Sequence, residues 1–317
     1  MTLDIATIPI EWDFPDEDSP LEEGAASLLH FLSAKVFCDY EPAQFEPFEA
    51  RLIRWLNNVD ANHDKQRLLS LLLDVFFVGR KEFEALYRSA YRIVIFRWLL
   101  EVHTLNPFED GLEENVHELA NKAWICPITD SLRINSFLKV NGLKSRDKRP
   151  DWRSMAEFGD PEKIRNYIST EKITDIILLE DFVGSGTQAI SSVEFAAKEF
   201  PQQNILLCPL VTCPDGDRNI RKALEKYSNA WFDPVLSLPE STMHSYDKFK
   251  NGFGTSDDAF LVSLNGKLGY KQDKSAFGFK QTGAKVVMYS NCPNNTLPLF
   301  HREAASWAPL FPRVERE

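Results

Sequence analysis

The sequence predicts an α/β protein, a parallel sheet flanked by helices and preceded by an N-terminal helical subdomain. Three observations predict it. Residues 21–105 space their apolar side chains as helices do and carry almost no strand signal. From Ala123 onward, short and nearly unbroken apolar runs alternate with amphipathic segments, as in βαβ units. One of those runs ends in two acids and a loop of small residues just before a helix, the usual position of a ligand site on a parallel sheet.

The first 20 residues are expected to be a flexible acidic segment, because Glu11–Glu23 is rich in acids and holds Pro15 and Pro20. Residues 21–120 are expected to form the helical subdomain. Phe48, Leu52, Ile53 and Leu56 share one face of a helix over 45–56. Leu68–Phe77 is a dense apolar run, read as a second helix. Phe83, Leu86, Tyr87, Ala90, Val94, Trp98 and Leu99 mark a third over 82–100, with Gly79 as punctuation.

Residues 121–317 are expected to form the α/β domain with a C-terminal cap. Its strand candidates are Trp124–Thr129, Ile173–Leu179, Ile205–Val211 and a weaker Ala230–Leu238 broken by Pro234. Such apolar runs fit strands buried on both faces. Helices are expected over 188–200 and 217–227, and Val286–Tyr289 is a further strand candidate.

Composition narrows the function. The 317 residues are 44% hydrophobic with a net charge of −11, which disfavours a general nucleic-acid binder, since such proteins neutralise phosphates with Lys and Arg. Five cysteines, odd in number and without a Cys-x-x-Cys pair, suit a reducing cytoplasm and give no zinc-ligand spacing. The six histidines form no metal-binding pattern. No basic segment leads into an apolar one at the N-terminus, and no run approaches the ~18 apolar residues of a membrane span. A cytoplasmic protein without a membrane partner is expected.

The segment that carries chemistry is Ile176–Gln188, IILLEDFVGSGTQ. A buried strand delivers Glu180 and Asp181 to its carboxyl end. Gly184, Ser185, Gly186, Thr187 and Gln188 then form a small-residue turn into a helix. Such a turn lets backbone N–H groups converge, and the helix start favours an anion. Ser185 and Thr187 add hydroxyl donors. A phosphate on the turn and a diol on the acids together describe a ribose 5-phosphate. Ser185 as a hydrolase nucleophile lacks the flanking glycines of an elbow, since Val183 and Thr187 occupy those positions. The adjacent acids would also oppose a developing oxyanion.

Four apolar residues, two acids, two apolar residues and a Gly/Thr loop resemble the signature of type I phosphoribosyltransferases. The resemblance implies that Glu180 and Asp181 bind ribose hydroxyls as the catalytic pair. It implies that Gly184–Gln188 hold the 5-phosphate of phosphoribosyl diphosphate or a related nucleotide. Mg²⁺ would be bound through the ligand's diphosphate rather than by a protein metal site. Base-salvage members carry an Asp where this chain has Gly184, and a Thr where it has Gln188. A wider resemblance covers FFVGRKEFEALYRSA (Phe76–Ala90), the loop and CPNNTLPLF (Cys292–Phe300). It is to phosphoribosyltransferase-like proteins of bacterial anti-phage loci, some of them retron-associated. It implies an effector with a defence-system partner protein. A nucleotide-sensing module without turnover, and an effector that cleaves glycosidic bonds of nucleotides, are the alternatives.

Further residues are candidates for diphosphate or base contacts. Asp130 and Ser131 follow the first strand, where they can instead cap a helix. Arg146 lies in a basic stretch with Lys144, Lys148 and Arg149, a lid over diphosphate or a solvated loop. Asn294 and Asn295 sit between prolines and can read a base edge or form Asx-turns.

Overall fold

The computed structural model describes Ser19 and residues 21–144 and 161–314. In chain order the elements begin with α1 Ala25–Lys35, α2 Phe48–Leu56, α3 Asn62–Leu73, β1 Phe76–Val78 and α4 Arg80–Ser89. They continue with α5 Phe96–Val102, α6 Leu112–Lys122, β2 Trp124–Pro127, α7 Ile134–Val140 and α8 Pro161–Thr170. Next come β3 Asp175–Val183, α9 Thr187–Glu199, β4 Asn204–Thr212, α10 Pro214–Leu224, β5 Ala230–Phe232 and β6 Leu236–Ser237. The chain closes with α11 Tyr246–Lys250, α12 Ser256–Ser263, β7 Val286–Met288 and α13 Pro298–His301. Among the described residues, no helix is long and apolar enough to cross a membrane. The expectations for residues 1–18 and for Arg146, Lys148 and Arg149 lie outside the described residues.

Two compact units divide the chain. One is the continuous stretch Lys81–Glu240, and the other joins Met1–Arg80 to Ser241–Glu317. The dividing lines are thus not at residue 120, where the change from helix to strand pattern put the expected boundary. Periodicity reports local conformation and not which segments pack together. The helices after Arg80 belong with the sheet, where Trp98 meets Trp231 edge to face at 6.0 Å and His103 Nε2 lies 3.0 Å from Asp175. The C-terminal segment belongs with the first helices. There the Trp55 indole N–H donates to Leu299 O at 2.7 Å and the buried Arg51 guanidinium to Leu310 O at 2.7 Å.

The continuous unit holds an all-parallel sheet in the order β2-β3-β4-β5, with β6 also paired to β4. The register runs Cys126↔Leu178↔Leu207↔Phe232 across it. Pro234 separates two short strands that share β4 as partner: Ala230–Phe232 pairs with Ile205–Leu207, and Leu236–Ser237 with Val211–Thr212. Ile176, Ile177, Leu178 and Leu179 are fully buried, as the near-continuous apolar pattern requires. Val193, Ala196 and Ala197 of α9 and Ile220 and Leu224 of α10 pack in the same core.

In the discontinuous unit, the run Leu68–Phe77 is not one helix. The helix stops at Leu73, and Phe76–Val78 pairs in parallel with Val286–Met288. Phe76 N donates to Lys285 O and Tyr289 N to Val78 O, both at 2.8 Å. Aromatic and β-branched residues suit a strand, but a partner some 200 residues away is invisible to local periodicity. The helix expected over 82–100 is likewise interrupted, by a π-helical stretch at Ala90–Ile95.

Candidate functional site

β3 is longer than its apolar run. It continues through both acids to Val183, and Glu180 pairs in register with Pro209 of β4. Parallel pairing with β2 reaches Ile128, whose N–H donates to Leu179 O at 2.9 Å. The chain leaving β2 therefore passes directly beside the acids. Glu180 accepts from Thr129 N at 3.1 Å and from the Thr129 hydroxyl at 2.6 Å. The Ser131 hydroxyl reaches Asp181 Oδ1 at 2.9 Å and Glu180 Oε1 at 3.3 Å, and it lies 2.5 Å from Thr129 Oγ1. Adjacent strand residues alternate faces, yet Ser131 spans both carboxylates. Thr129 and Ser131 do not cap α7, whose first position carries no side-chain cap.

Glu180 and Asp181 are 6% and 7% exposed. Burial first, and then the neighbouring Asp181 charge, push the Glu180 carboxyl well above the usual carboxylate range, against the opposing Thr129 and Ser131 hydrogen bonds. A proton on Glu180 also resolves the crowding of oxygens. That proton can be shared with the neighbouring Asp181 carboxylate, whose hydrogen bond also pushes the Glu180 pKa up.

The sign for stability follows. An acid that holds its proton more tightly when folded contributes stability that is fully present below its unfolded pKa. That contribution is lost as pH rises through the folded value. Glu180→Gln keeps the neutral form at every pH. The melting temperature of this variant, relative to the unaltered chain, is expected to rise as pH climbs above the usual carboxylate range. A difference that stays flat in thermal melts as pH climbs would show that folding does not raise the Glu180 pKa.

The loop after β3 is held from behind. Val183 O accepts from Cys213 N at 2.8 Å, and Ser185 O from the Asn219 amide at 3.0 Å. Gly186 stands at φ +84°, a left-handed conformation that glycine alone adopts without strain. It precedes α9, whose first turn carries no acid and no side-chain cap. Uncapped N–H groups at a helix start suit an anion. Ser185 Oγ and Thr187 Oγ1 lie 3.1 Å apart, and Thr187 and Gln188 are exposed.

Of the sequence candidates, Glu180, Asp181 and Ser131 come together in one cluster, Gly184–Gly186 form the turn that follows them, and Thr187 and Gln188 open α9. Asp130 is exposed beside the cluster. Asn294 and Asn295 belong to the other unit, where Asn295 is buried and Asn294 lines a cavity. Asn294 O accepts from Phe279 N, and the Asn295 amide donates to Phe279 O at 3.2 Å and to Thr282 Oγ1 at 2.8 Å. Sequence reasoning missed Thr129 as a partner of Glu180, and missed Gly216 and Asn219 behind the loop. A hydroxyl pair two residues apart after an apolar run was the only signal for Thr129. Among the described residues, no group of three or more His, Cys, Asp or Glu side chains is placed to hold a metal ion.

A family model described as PRTase-CE matches residues 52–313. No curated protein matches the chain, and no solved structure does.

Proposed function

Because this chain belongs to the phosphoribosyltransferase-like PRTase-CE family, we propose that the β3 loop binds phosphoribosyl diphosphate or a closely related nucleotide. The observation that carries the reading is the pairing of Glu180 and Asp181, bridged by Ser131, with an uncapped small-residue turn at the start of α9. The turn would take the 5-phosphate, and the acids the ribose hydroxyls. Ser131 and Thr129 position those acids and would release them to the diol. Magnesium would arrive on the ligand's diphosphate and neutralise the charge that leaves C1 of the sugar. In a transfer reaction the C1–oxygen bond to diphosphate breaks and an acceptor bonds to C1. The acids would support the positive centre by position and charge. Isothermal titration of the full chain with phosphoribosyl diphosphate and magnesium tests binding, and saturable heat at a 1:1 ratio is expected. No heat would remove the reading. Diphosphate release on adding a nucleobase separates turnover from sensing.

We further infer, from the resemblance carried by Phe76–Ala90 and Cys292–Phe300, a cytoplasmic effector role in anti-phage defence alongside a partner protein. Expression in bacteria challenged with phage tests it. Protection that disappears in Asp181→Asn supports the role, and equal plaque numbers with and without the protein count against it.

A further inference from the structure

The discontinuous unit contains a cavity of 610 Å³ whose lining includes Tyr270, Asn294, His301, Arg302, Glu303 and Arg313. Its size falls in the range of small-molecule pockets, roughly 300–1,000 Å³. Glu180 and Asp181 belong to the other unit.

The lining is unbalanced in a way that points to a ligand. Arg313 Nε is buried without a hydrogen-bond partner. A buried donor left unpaired is costly, and an anion entering the cavity would satisfy it. The second guanidinium, Arg302, lies 5.4 Å from the centre of the Tyr270 ring. Neither arginine forms an ion pair among the described residues. His301 donates its Nε2 proton to Thr296 O at 3.1 Å, which leaves Nδ1 as an acceptor. Burial, and then the charge of Arg313, lower the His301 pKa to about 4, so the ring is neutral at physiological pH. Among the described residues, Glu303 is the one acid in the lining.

We propose that this cavity is a second ligand site, for a nucleoside monophosphate, with the phosphate on Arg313 and the base against the Tyr270–Arg302 pair. Two unpaired guanidiniums select an anion, and Arg recognises phosphate through directed N–H donors. An aromatic ring beside a planar guanidinium gives a base a surface to stack on. The His301 acceptor and Glu303 add places for ligand N–H groups. Inorganic phosphate alone would leave most of the volume and the aromatic wall unused.

The test is isothermal titration of the full chain with adenosine 5′-monophosphate, inorganic phosphate and adenosine. Each is run on the unaltered chain and on Asp181→Asn, so that nucleotide held by the β3 loop is not counted. Saturable binding of the monophosphate that persists in Asp181→Asn is expected. Arg313→Ala should weaken it by about tenfold or more, as loss of a charge-assisted hydrogen bond does. Tyr270→Ala should weaken it as well, and it serves alone if Arg313→Ala does not fold. Adenosine and phosphate should each bind at least ~10-fold more weakly. The proposal falls if the monophosphate gives no heat, if Arg313→Ala and Tyr270→Ala bind it unchanged, or if Asp181→Asn abolishes it. Phosphate binding as tightly as the monophosphate would overturn the base half.

Discussion

Gly216→Ala is expected to destabilise the protein by about 1–3 kcal/mol, the usual cost of overpacking, and to remove thermal protection by phosphoribosyl diphosphate. A Cβ at this position would lie 2.6 Å from Gly184 O and 2.7 Å from Val183 Cγ1. The first of these is backbone and cannot rotate away. The two segments are also tied by the bond from Cys213 N to Val183 O, so relief requires the loop itself to move. The loop is the proposed phosphate cradle, which couples the stability loss to the binding loss. Gly186→Val probes the opposite face of the same contact. Its Cβ would meet Ile220 Cγ1 at 3.3 Å and Gly216 Cα at 3.4 Å, in addition to the left-handed backbone. Melts with and without ligand check both variants. An unchanged melting temperature in Gly216→Ala would mean that α10 does not set the loop's position.

Asp181→Asn is expected to weaken phosphoribosyl diphosphate binding by roughly 10- to 100-fold, as loss of a hydrogen bond to a charged group does. The substitution conserves volume and leaves Ser131 an oxygen to donate to, so the melting temperature should move little. Glu180→Gln should weaken binding less than Asp181→Asn, because burial and the Asp181 charge shift Glu180 toward its protonated form. The contrast between the two variants is the informative result. Calorimetric affinity in Asp181→Asn equal to that of the unaltered chain would remove the β3 site as the ligand site.

Much of the sheet was legible because burial on both faces leaves a direct trace. Trp124–Pro127, Asp175–Val183 and Asn204–Thr212 all fall on apolar runs. Pro234 separated β5 from β6 where the sequence is broken. The acids and the glycine turn were legible for the same reason, since they interrupt such a run. Features made by long-range contact were not. Phe76–Val78 is three residues long and becomes a strand through Val286–Met288. Thr129 gains meaning only because parallel pairing carries it past Leu179 to Glu180. Gly216 sits in the sequence Pro-Asp-Gly-Asp, which reads as an ordinary helix start. Its purpose is visible only with the Gly184 carbonyl in place.

The interruption of one unit by the other has a consequence for how the protein is made. On the ribosome, Lys81–Glu240 is complete before any residue from Ser241 onward has been joined to the chain. The sheet can therefore close while its flanking unit is half-synthesised. During that interval Tyr40, Arg51 and Trp55 lack the carbonyls of Pro312, Leu310 and Leu299 that they later bind, and Phe76–Val78 lacks a neighbouring strand. The nascent N-terminal helices thus wait for the last tenth of the polypeptide to supply these partners.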